Sequence, residues 1–352
     1  MTSGTRVFAV AALVCVLAGC AGIGGGTFNG KPADVYSIIP SQKDVQSLMG
    51  DANWWAGVPT FGVPPLNADT APVAQRYAVS EQYLHIGTAE ELLARYAVFD
   101  KASSATSVMN DYQTALGTSP SSPKVGDQVL YYGMAGNGGA PYAARTFVRV
   151  GQIVLSIVWL RKDPGITVDQ LAKIARRFSQ DLKDLSKVHG KLKAADPNLL
   201  PPAGLSITLL GSASMPVEAF PVMALTAMPE QILALMHHAG INDFAYGDYA
   251  LNNDTHMEVQ TALLTFPTPT DAGDWVTAFA PGQPDSNGIS FGYIPTGGTP
   301  GAGVYHFVFA SGRYGAFMVC KSAVDGAAAS RECEDPTGTV ALAWKLALGG
   351  LR

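Results

Sequence analysis

Charged side chains are scarce in this sequence, and acidic residues slightly outnumber basic ones. They make up 14% of the 352 residues, and the formal net charge is −5. Binding to nucleic acid requires a concentrated basic surface. The lysines between residues 183 and 193 are interleaved with aspartates, which is typical of a solvated helix face. The composition therefore argues against nucleic acid as a partner.

The common signatures of catalytic and cofactor sites are also missing. The sequence contains no Gly-x-Ser-x-Gly elbow, no His-Glu-x-x-His zinc motif and no Walker phosphate loop. The glycines at 22–26 follow no predicted strand, so a role in phosphate binding is not expected. The sequence therefore predicts no cofactor and leaves the catalytic residues unknown.

Long apolar stretches are lacking except near the N-terminus. Residues 7–18 are unbroken apolar and follow Arg6. This stretch is too short for a transmembrane helix, which needs roughly 20 residues, but it suits a signal peptide. It ends in Leu17-Ala18-Gly19-Cys20, which resembles the lipobox of bacterial lipoproteins. The resemblance implies a signal peptide over 1–19 and a lipid on Cys20, with the membrane as a partner.

Cysteines are few, and their positions assign each a different fate. Cys15 would leave with the signal peptide and Cys20 would carry the lipid. Cys320 and Cys333 remain, and two cysteines in an oxidising compartment form a disulfide by default. Two cysteines alone do not make a zinc site, which normally has four ligands. The sequence therefore predicts a Cys320–Cys333 disulfide.

Strand and helix signals alternate in the same order twice along the chain. Each half has a short helix, a strand pair, a second helix, further strands with a hairpin at Gly151 or Gly312, and a closing helix. This order favours an α+β fold with two similar repeats of antiparallel sheet packed against helices. The predicted boundaries are listed here: a flexible glycine-rich tether over 20–35, a first repeat over 36–188, a Pro-rich connector over 189–204 and a second repeat over 205–352.

Two segments of the second half resemble a known family. The run from Ala262 to Ala272, with Pro267 and Pro269, and the preceding Tyr246-Gly-Asp-Tyr-Ala-Leu are similar to a family of uncharacterised exported bacterial proteins, a domain of unknown function common in acidobacteria. The first half also fits, through its Val125-Gly-Asp segment and element order. Departures are the Cys320–Cys333 insertion and a missing Gly-Gly-Ala segment. The resemblance implies an exported two-repeat α+β protein and brings no known activity.

Candidate ligand-binding residues are aromatic. Trp54, Trp55 and Phe61 lie in a Pro/Gly-rich stretch, and aromatic side chains in irregular chain can line a groove between the repeats. The alternative is that these side chains cover the edge of a hydrophobic core.

Candidate metal ligands surround one turn of the second half. Asp248, Asp254 and His256 bring together oxygen and nitrogen ligands, although a plain Asn/Asp hairpin turn also explains them. His237 and His238 are adjacent, and adjacent helical positions point about 100° apart, which suits a shared metal poorly.

These observations favour a lipid-anchored protein of the bacterial cell envelope that faces outside the cytoplasm. Its expected role is that of a binding or interaction module without enzymatic activity. The alternative is a metal-dependent or hydrolytic envelope enzyme that uses the histidines and nearby carboxylates.

Overall fold

A computed structural model provides the structure of the protein. The described residues are 28–62, 72–88, 90–120, 122–134, 142–161, 165–187, 192–224, 226, 228–280, 282–295, 303–322 and 333–351. The predicted signal peptide, Cys20 and the tether up to residue 27 lie outside them.

The described residues of the first half form a seven-stranded antiparallel sheet and four α-helices. Its helices are α1 (Pro32–Tyr36), α2 (Gln42–Met49), α3 (Ala102–Leu116) and α4 (Val168–Ser179). Its strands are β1 (Trp54–Ala56), β2 (Thr60–Gly62), β3 (Gln75–His85), β4 (Glu91–Phe99), β5 (Gln128–Met134), β6 (Tyr142–Val150) and β7 (Ile153–Arg161). The strands are ordered β1-β3-β4-β7-β6-β5, and β2 also pairs with β3.

In the second half, the part of the chain that the structure describes forms a six-stranded antiparallel sheet and four more α-helices. Its helices are α5 (Phe220–Met223), α6 (Pro229–His238), α7 (Pro269–Phe279) and α8 (Glu334–Gly349). Its strands are β8 (Ile207–Pro216), β9 (Asp243–Leu251), β10 (Asp254–Thr265), β11 (Ile289–Pro295), β12 (Gly303–Ser311) and β13 (Tyr314–Ser322). The strands are ordered β11-β12-β13-β10-β9-β8.

The two sheets share one topology. The five strands β3-β4-β7-β6-β5 of the first sheet correspond in order and direction of pairing to β9-β10-β13-β12-β11 of the second. A helix follows β4 in the first set and β10 in the second, and another helix follows β7 and β13. The prediction of an α+β fold with two similar antiparallel sheets and helices is therefore confirmed. The halves differ at one edge, where β1 and β2 flank β3 but β8 flanks β9.

Local sequence signals explain where these elements begin and turn. Ser41 starts α2, Thr167 starts α4 and Thr268 starts α7, each through a reciprocal capping box with the side chain three residues later. Gly151 and Gly312 take the left-handed conformation, with φ of 58° and 57°, in the equivalent β6–β7 and β12–β13 turns. Residues other than glycine are disfavoured at these two positions, because a Cβ atom makes the left-handed conformation unfavourable.

The hydrophobic core extends across both halves. Its largest part joins side chains of β3, β4, β7 and α4 to side chains of β8–β10, β13 and α5. Smaller clusters lie under α3 on the far face of the first sheet and under α8 on the far face of the second. The halves therefore form two sheets with a shared core between them.

The predicted tether ends earlier than expected. The backbone of Phe28 exchanges two hydrogen bonds of 2.9 Å with the Gln152 side chain, and the Tyr77 hydroxyl donates to the Gly30 carbonyl at 2.7 Å. α1 then follows, with Val35 buried. Residues 28–35 are therefore packed against the first sheet, because an aromatic and an aliphatic side chain within this glycine-rich stretch find apolar contacts.

The predicted connector packs against the second half. A short 3₁₀ helix covers Pro197–Leu199, and the Trp344 indole of α8 donates a hydrogen bond to the Leu199 carbonyl at 3.2 Å. Ala195 and Leu200 are buried in the same cluster as Trp344. The described part of this segment therefore contributes to the core under α8.

Candidate functional site

The two halves meet where the segment from Gly57 to Gly62 crosses from the first sheet to the second. Its strand β2 pairs with β3, with Phe61 opposite Val79. The Phe61 amide donates to Asp248 Oδ2 at 2.6 Å, and the Thr60 hydroxyl donates to Glu258 Oε1 at 2.9 Å. The polar groups of β2 thus join the first sheet to β9 and β10.

The Phe61 ring also packs across this junction. A Cβ atom added to Gly211 of β8 would lie 2.4 Å from the Phe61 ring, which is far inside van der Waals contact. The absence of a side chain at Gly211 lets the ring lie directly on the backbone of β8. Phe61 therefore holds the first half against the second.

Two carboxyl groups are buried beside β2. Asp248 is fully buried and Glu258 is 2% exposed. The Gln260 amide donates to Glu258 Oε1 at 2.7 Å, and Lys321 Nζ lies 3.7 Å from Glu258 Oε2. Burial, followed by the charge of Glu258 and a hydrogen bond with it, raises the pKa of Asp248 well above its ordinary value. Burial therefore favours the protonated form of Asp248 in this pair.

A cavity of about 260 Å³ lies at the same junction, beside the β2 segment. Both halves line it, and most of its wall is apolar. The lining residues that matter below are Tyr36, Ala56, Gly57 and Glu81 from the first half, and Glu218 and Ala219 from the second. A mostly apolar cavity with a few polar groups is typical of a small-molecule site.

Glu81 is the polar group buried in the wall of this cavity. It is 2% exposed, and neither carboxyl oxygen has a hydrogen-bond partner of normal geometry. Burial raises the pKa of Glu81 well above its ordinary value, and the adjacent Tyr36 hydroxyl counteracts this only in part. Burial therefore favours the protonated, neutral form of the Glu81 carboxyl.

Three further tyrosines lie near Glu81, and their hydroxyl groups are used elsewhere. The Tyr83 hydroxyl donates to the Pro40 carbonyl at 2.6 Å, and the Tyr96 hydroxyl donates to the Phe178 carbonyl at 2.9 Å. The Tyr246 hydroxyl donates to the Pro59 carbonyl. Burial is the largest cause that raises the pKa of all three tyrosines, and the ionised form of Glu81 adds to it. Glu81 thus has aromatic and acidic neighbours.

A second cavity, of about 250 Å³, lies within the first half. Trp54 and Trp159 line it, together with charged side chains that pair with one another. His85 Nε2 lies 2.9 Å from Asp51 Oδ2, and an Arg161–Glu90 ion pair spans 3.1 Å. These charges satisfy each other without a ligand, unlike Glu81, so the cavity between the halves is the stronger candidate.

The aromatic residues singled out in the sequence are all buried. Trp54 and Phe61 belong to the shared core, and Trp55 is buried as well. Trp54 lines the second cavity, and none of the three is among the residues that line the cavity between the halves. Contact of these residues with a ligand stays a prediction.

The candidate metal ligands have local roles. Asp254 Oδ1 accepts a hydrogen bond from the His256 amide at 2.9 Å, as in an Asx turn, whereas Asp248 pairs with Glu258. His237 is in the last turn of α6, 3.9 Å from Glu218, and His238 follows it. In the described part of the chain, no three His, Cys, Asp or Glu side chains are placed to share a metal ion.

The predicted disulfide is present. Cys320 at the end of β13 is bonded to Cys333, and their Cα atoms are 6.2 Å apart. A structural disulfide is typical of proteins outside the cytoplasm. No helix among the described residues is long and apolar enough to cross a membrane.

The sequence contained a signal for Glu81 that motif searching does not detect. Tyr77, Val79, Glu81 and Tyr83 alternate along β3, and period two places them on one face of the strand. Three bulky apolar or aromatic residues on that face predict that it is buried, so the fourth residue is a buried carboxyl. Its closeness to Tyr36 and to the second half depends on tertiary packing.

Comparison with known proteins adds little to this site. No known protein family and no curated protein matches the sequence. Among solved structures, the extracellular domain of PknH from Mycobacterium tuberculosis is similar over 46% of this chain and 100% of its own length, with 12% sequence identity and a TM-score of 0.35. Membership of the family of exported proteins named above stays a prediction.

Proposed function

We propose that this protein is a lipid-anchored binding module of the bacterial cell envelope, and that it binds a small, largely apolar molecule in the cavity between its two halves. The lipobox-like Leu17-Ala18-Gly19-Cys20 supports the anchor, and the Cys320–Cys333 disulfide supports an extracytoplasmic location. The ligand site rests on the cavity itself.

One observation carries the proposal, namely the unsatisfied Glu81 carboxyl in the wall of the cavity. Burying a carboxyl without hydrogen-bond partners costs folding free energy, and folded proteins satisfy nearly all their buried polar groups. An aliphatic side chain at this position of β3 would pack without that cost. A buried polar group that lowers the stability of the fold and lies in a cavity wall is typical of a functional site.

The position of the cavity also supports binding. Its wall is formed by Gly57 and Ala56 on one side and by Glu218 and Ala219 on the other. Ligand sites occur preferentially between domains and between packed structural units. A molecule in this cavity would contact both halves and stabilise their association.

Filling the cavity tests the proposal. Hexan-1-ol is a suitable probe because its alkyl chain matches the apolar wall and its hydroxyl can reach Glu81. Ligand-observed NMR should detect its binding to the wild-type protein. Ala56→Leu places a larger side chain on the cavity wall and should weaken binding by about tenfold or more.

The matched control is Ala102→Leu, which makes the same change at the exposed first residue of α3. This variant should bind hexan-1-ol like the wild type. Equal binding by all three proteins, or no binding by the wild type, would contradict the proposed site.

A further inference from the structure

We infer that the ligand of the cavity between the halves carries an ammonium group, which pairs with the Glu81 carboxylate while a short apolar tail contacts the remaining wall. This inference rests on the proposed function, since it names the chemical class of the molecule that the cavity would bind. It is carried by the arrangement of charges and hydrogen-bond donors around Glu81.

The described residues around Glu81 supply no counter-charge. Among them, no Lys, Arg or His lines the cavity. The ionisable groups that act on Glu81 or respond to its charge are Tyr36 of α1, Tyr83 of β3, Tyr96 of β4 and Tyr246 of β9. None of them supplies a positive charge, so a cationic ligand would provide the missing partner.

The hydrogen-bonding capacity of the Glu81 carboxylate also favours an ammonium ligand. An ionised carboxylate only accepts hydrogen bonds, and an ammonium group only donates them. The hydroxyls of Tyr83, Tyr96 and Tyr246 donate to backbone carbonyls and do not donate to Glu81. Of the four tyrosines, Tyr36 lines the cavity beside Glu81. The carboxylate therefore has lone pairs to accept from a ligand, and an ammonium group has the donors to use them.

The charge at the cavity rim is negative, which also favours a cationic ligand. Glu218 lines the same cavity from the second half, and its side chain is 45% exposed. The carboxylate at the rim, and the Glu81 carboxyl once it is ionised, repel an anionic ligand and attract a cation. The aromatic side chain of Tyr36 in the wall also favours a cation over an anion.

Binding would be coupled to the release of a proton. Without a ligand, burial favours the protonated form of the Glu81 carboxyl. When the ammonium group enters, the carboxyl O–H bond breaks and the proton passes to solvent. The N–H groups of the ligand then donate to the carboxylate. About one proton is thus released per amine bound, and the affinity rises by up to about tenfold per pH unit while Glu81 is protonated in the free protein.

Isothermal titration calorimetry with hexylamine, hexan-1-ol and hexanoate tests this inference. Hexylamine should bind about tenfold or more tightly than hexan-1-ol, which is the gain expected from one charge-assisted hydrogen bond. Hexanoate should bind more weakly than hexan-1-ol. Titrations of hexylamine in two buffers with different ionisation enthalpies should show the release of about one proton.

Two variants locate the effect. Glu81→Gln keeps the shape of the side chain but not its charge, so it should abolish both the preference for hexylamine and the proton release, and it should retain hexan-1-ol binding. Glu230→Gln makes the same change of charge at an exposed position of α6 outside the cavity lining, and its hexylamine affinity should stay within about threefold of the wild type because solvent screens that charge.

The outcomes separate this inference from the proposed function. Binding of hexan-1-ol without any preference for hexylamine, or without proton release, would overturn the ammonium inference and leave the binding cavity intact. If none of the three compounds binds, the proposed function fails together with the inference. Because proton release is measured on the wild-type protein, a Glu81→Gln variant that does not fold leaves the test decisive.

Discussion

The backbone amide of Phe61 donates a hydrogen bond of 2.6 Å to the carboxyl of Asp248, and this contact joins strand β2 of the first sheet to strand β9 of the second. The two residues are far apart in the sequence, so the bond depends on the association of the halves. It lies beside the buried Glu258 and the Gly211 that receives the Phe61 ring. The cavity proposed as the ligand site depends on the same association.

Asp248 gives this junction a predictable dependence on pH. Its pKa is raised in the folded protein, so folding takes up a proton at pH values between its ordinary pKa and its folded pKa. Stability is fully present below the ordinary value and falls as pH rises toward the folded pKa. In that window the loss has a slope of up to about 1.4 kcal/mol per pH unit.

Asp248→Asn should therefore gain stability relative to the wild type as pH rises from 5 to 8, because asparagine accepts the Phe61 hydrogen bond without titrating. Urea denaturation at a series of pH values measures this difference. Asp243→Asn, at the exposed start of the same strand, is the control for the removal of one carboxyl from β9. A constant difference for Asp248→Asn would contradict the assignment of the proton.

Gly211 should tolerate no side chain. Gly211→Ala places a methyl group against the Phe61 ring, so the ring or β8 must shift. We expect a loss of about 1–3 kcal/mol in the free energy of unfolding, as for other overpacked cores. Gly133→Ala in β5 is the matched control, because an added Cβ there has nothing within 4 Å. Equal stabilities of the two variants in urea denaturation would show that Phe61 does not pack on β8 in this way.

The Cys320–Cys333 disulfide should contribute to stability outside the cytoplasm. It closes a loop with a sequence separation of 13, and the loop-entropy estimate for that size is about 3 kcal/mol. Replacing both cysteines with alanine should lower the free energy of unfolding by about that amount, and a reducing agent should have no effect on this variant but should destabilise the wild type. Peptide mapping that finds both thiols free in the purified protein would refute the bond.

Cys20 should decide whether the protein is retained at the membrane. Intact mass of the membrane-extracted protein should show a chain that starts at Cys20 and carries acyl chains, which anchor the chain at about 0.8 kcal/mol per buried CH₂. Cys20→Ala should appear in the soluble fraction after cell lysis. A Cys20→Ala protein that still sediments with membranes would mean that something other than the lipid holds it there.

The sequence was sufficient to predict much of the fold. The central strand β4 combines aliphatic residues with Tyr96 and Phe99, β10 combines aliphatic residues with Val259 and three threonines, and α4 combines a capping box at Thr167 with apolar residues at helical spacing. The equivalent turns at Gly151 and Gly312 were also visible, since glycine interrupts two apolar runs at matching places. These features can be predicted because each depends on residues close together in the sequence: the residue types of a strand, the cap and spacing of a helix, and the glycine of a turn.

The edge strands and the junction could not be predicted in this way. β1 and β2 have three residues each, too few to display a period. β8 contains Gly211 and a register shift between Leu209 and Gly211, which breaks its alternation. The cavity between the halves could not be predicted from the sequence either. The aromatic pattern indicated Trp54 and Trp55, whereas the unusual group in the cavity wall is the single carboxyl of Glu81, whose neighbours come from distant segments.

The most direct test of the central claim is a ¹H–¹⁵N correlation spectrum of the protein titrated with hexan-1-ol. If the cavity between the halves is the ligand site, the amide signals of Gly57 from the first half and Ala219 from the second should shift together with one binding curve, while that of the distant Gly133 should not. Shifts confined to one half, or shifts at Gly133 as large as those at Gly57, would contradict the claim that the ligand lies at the junction.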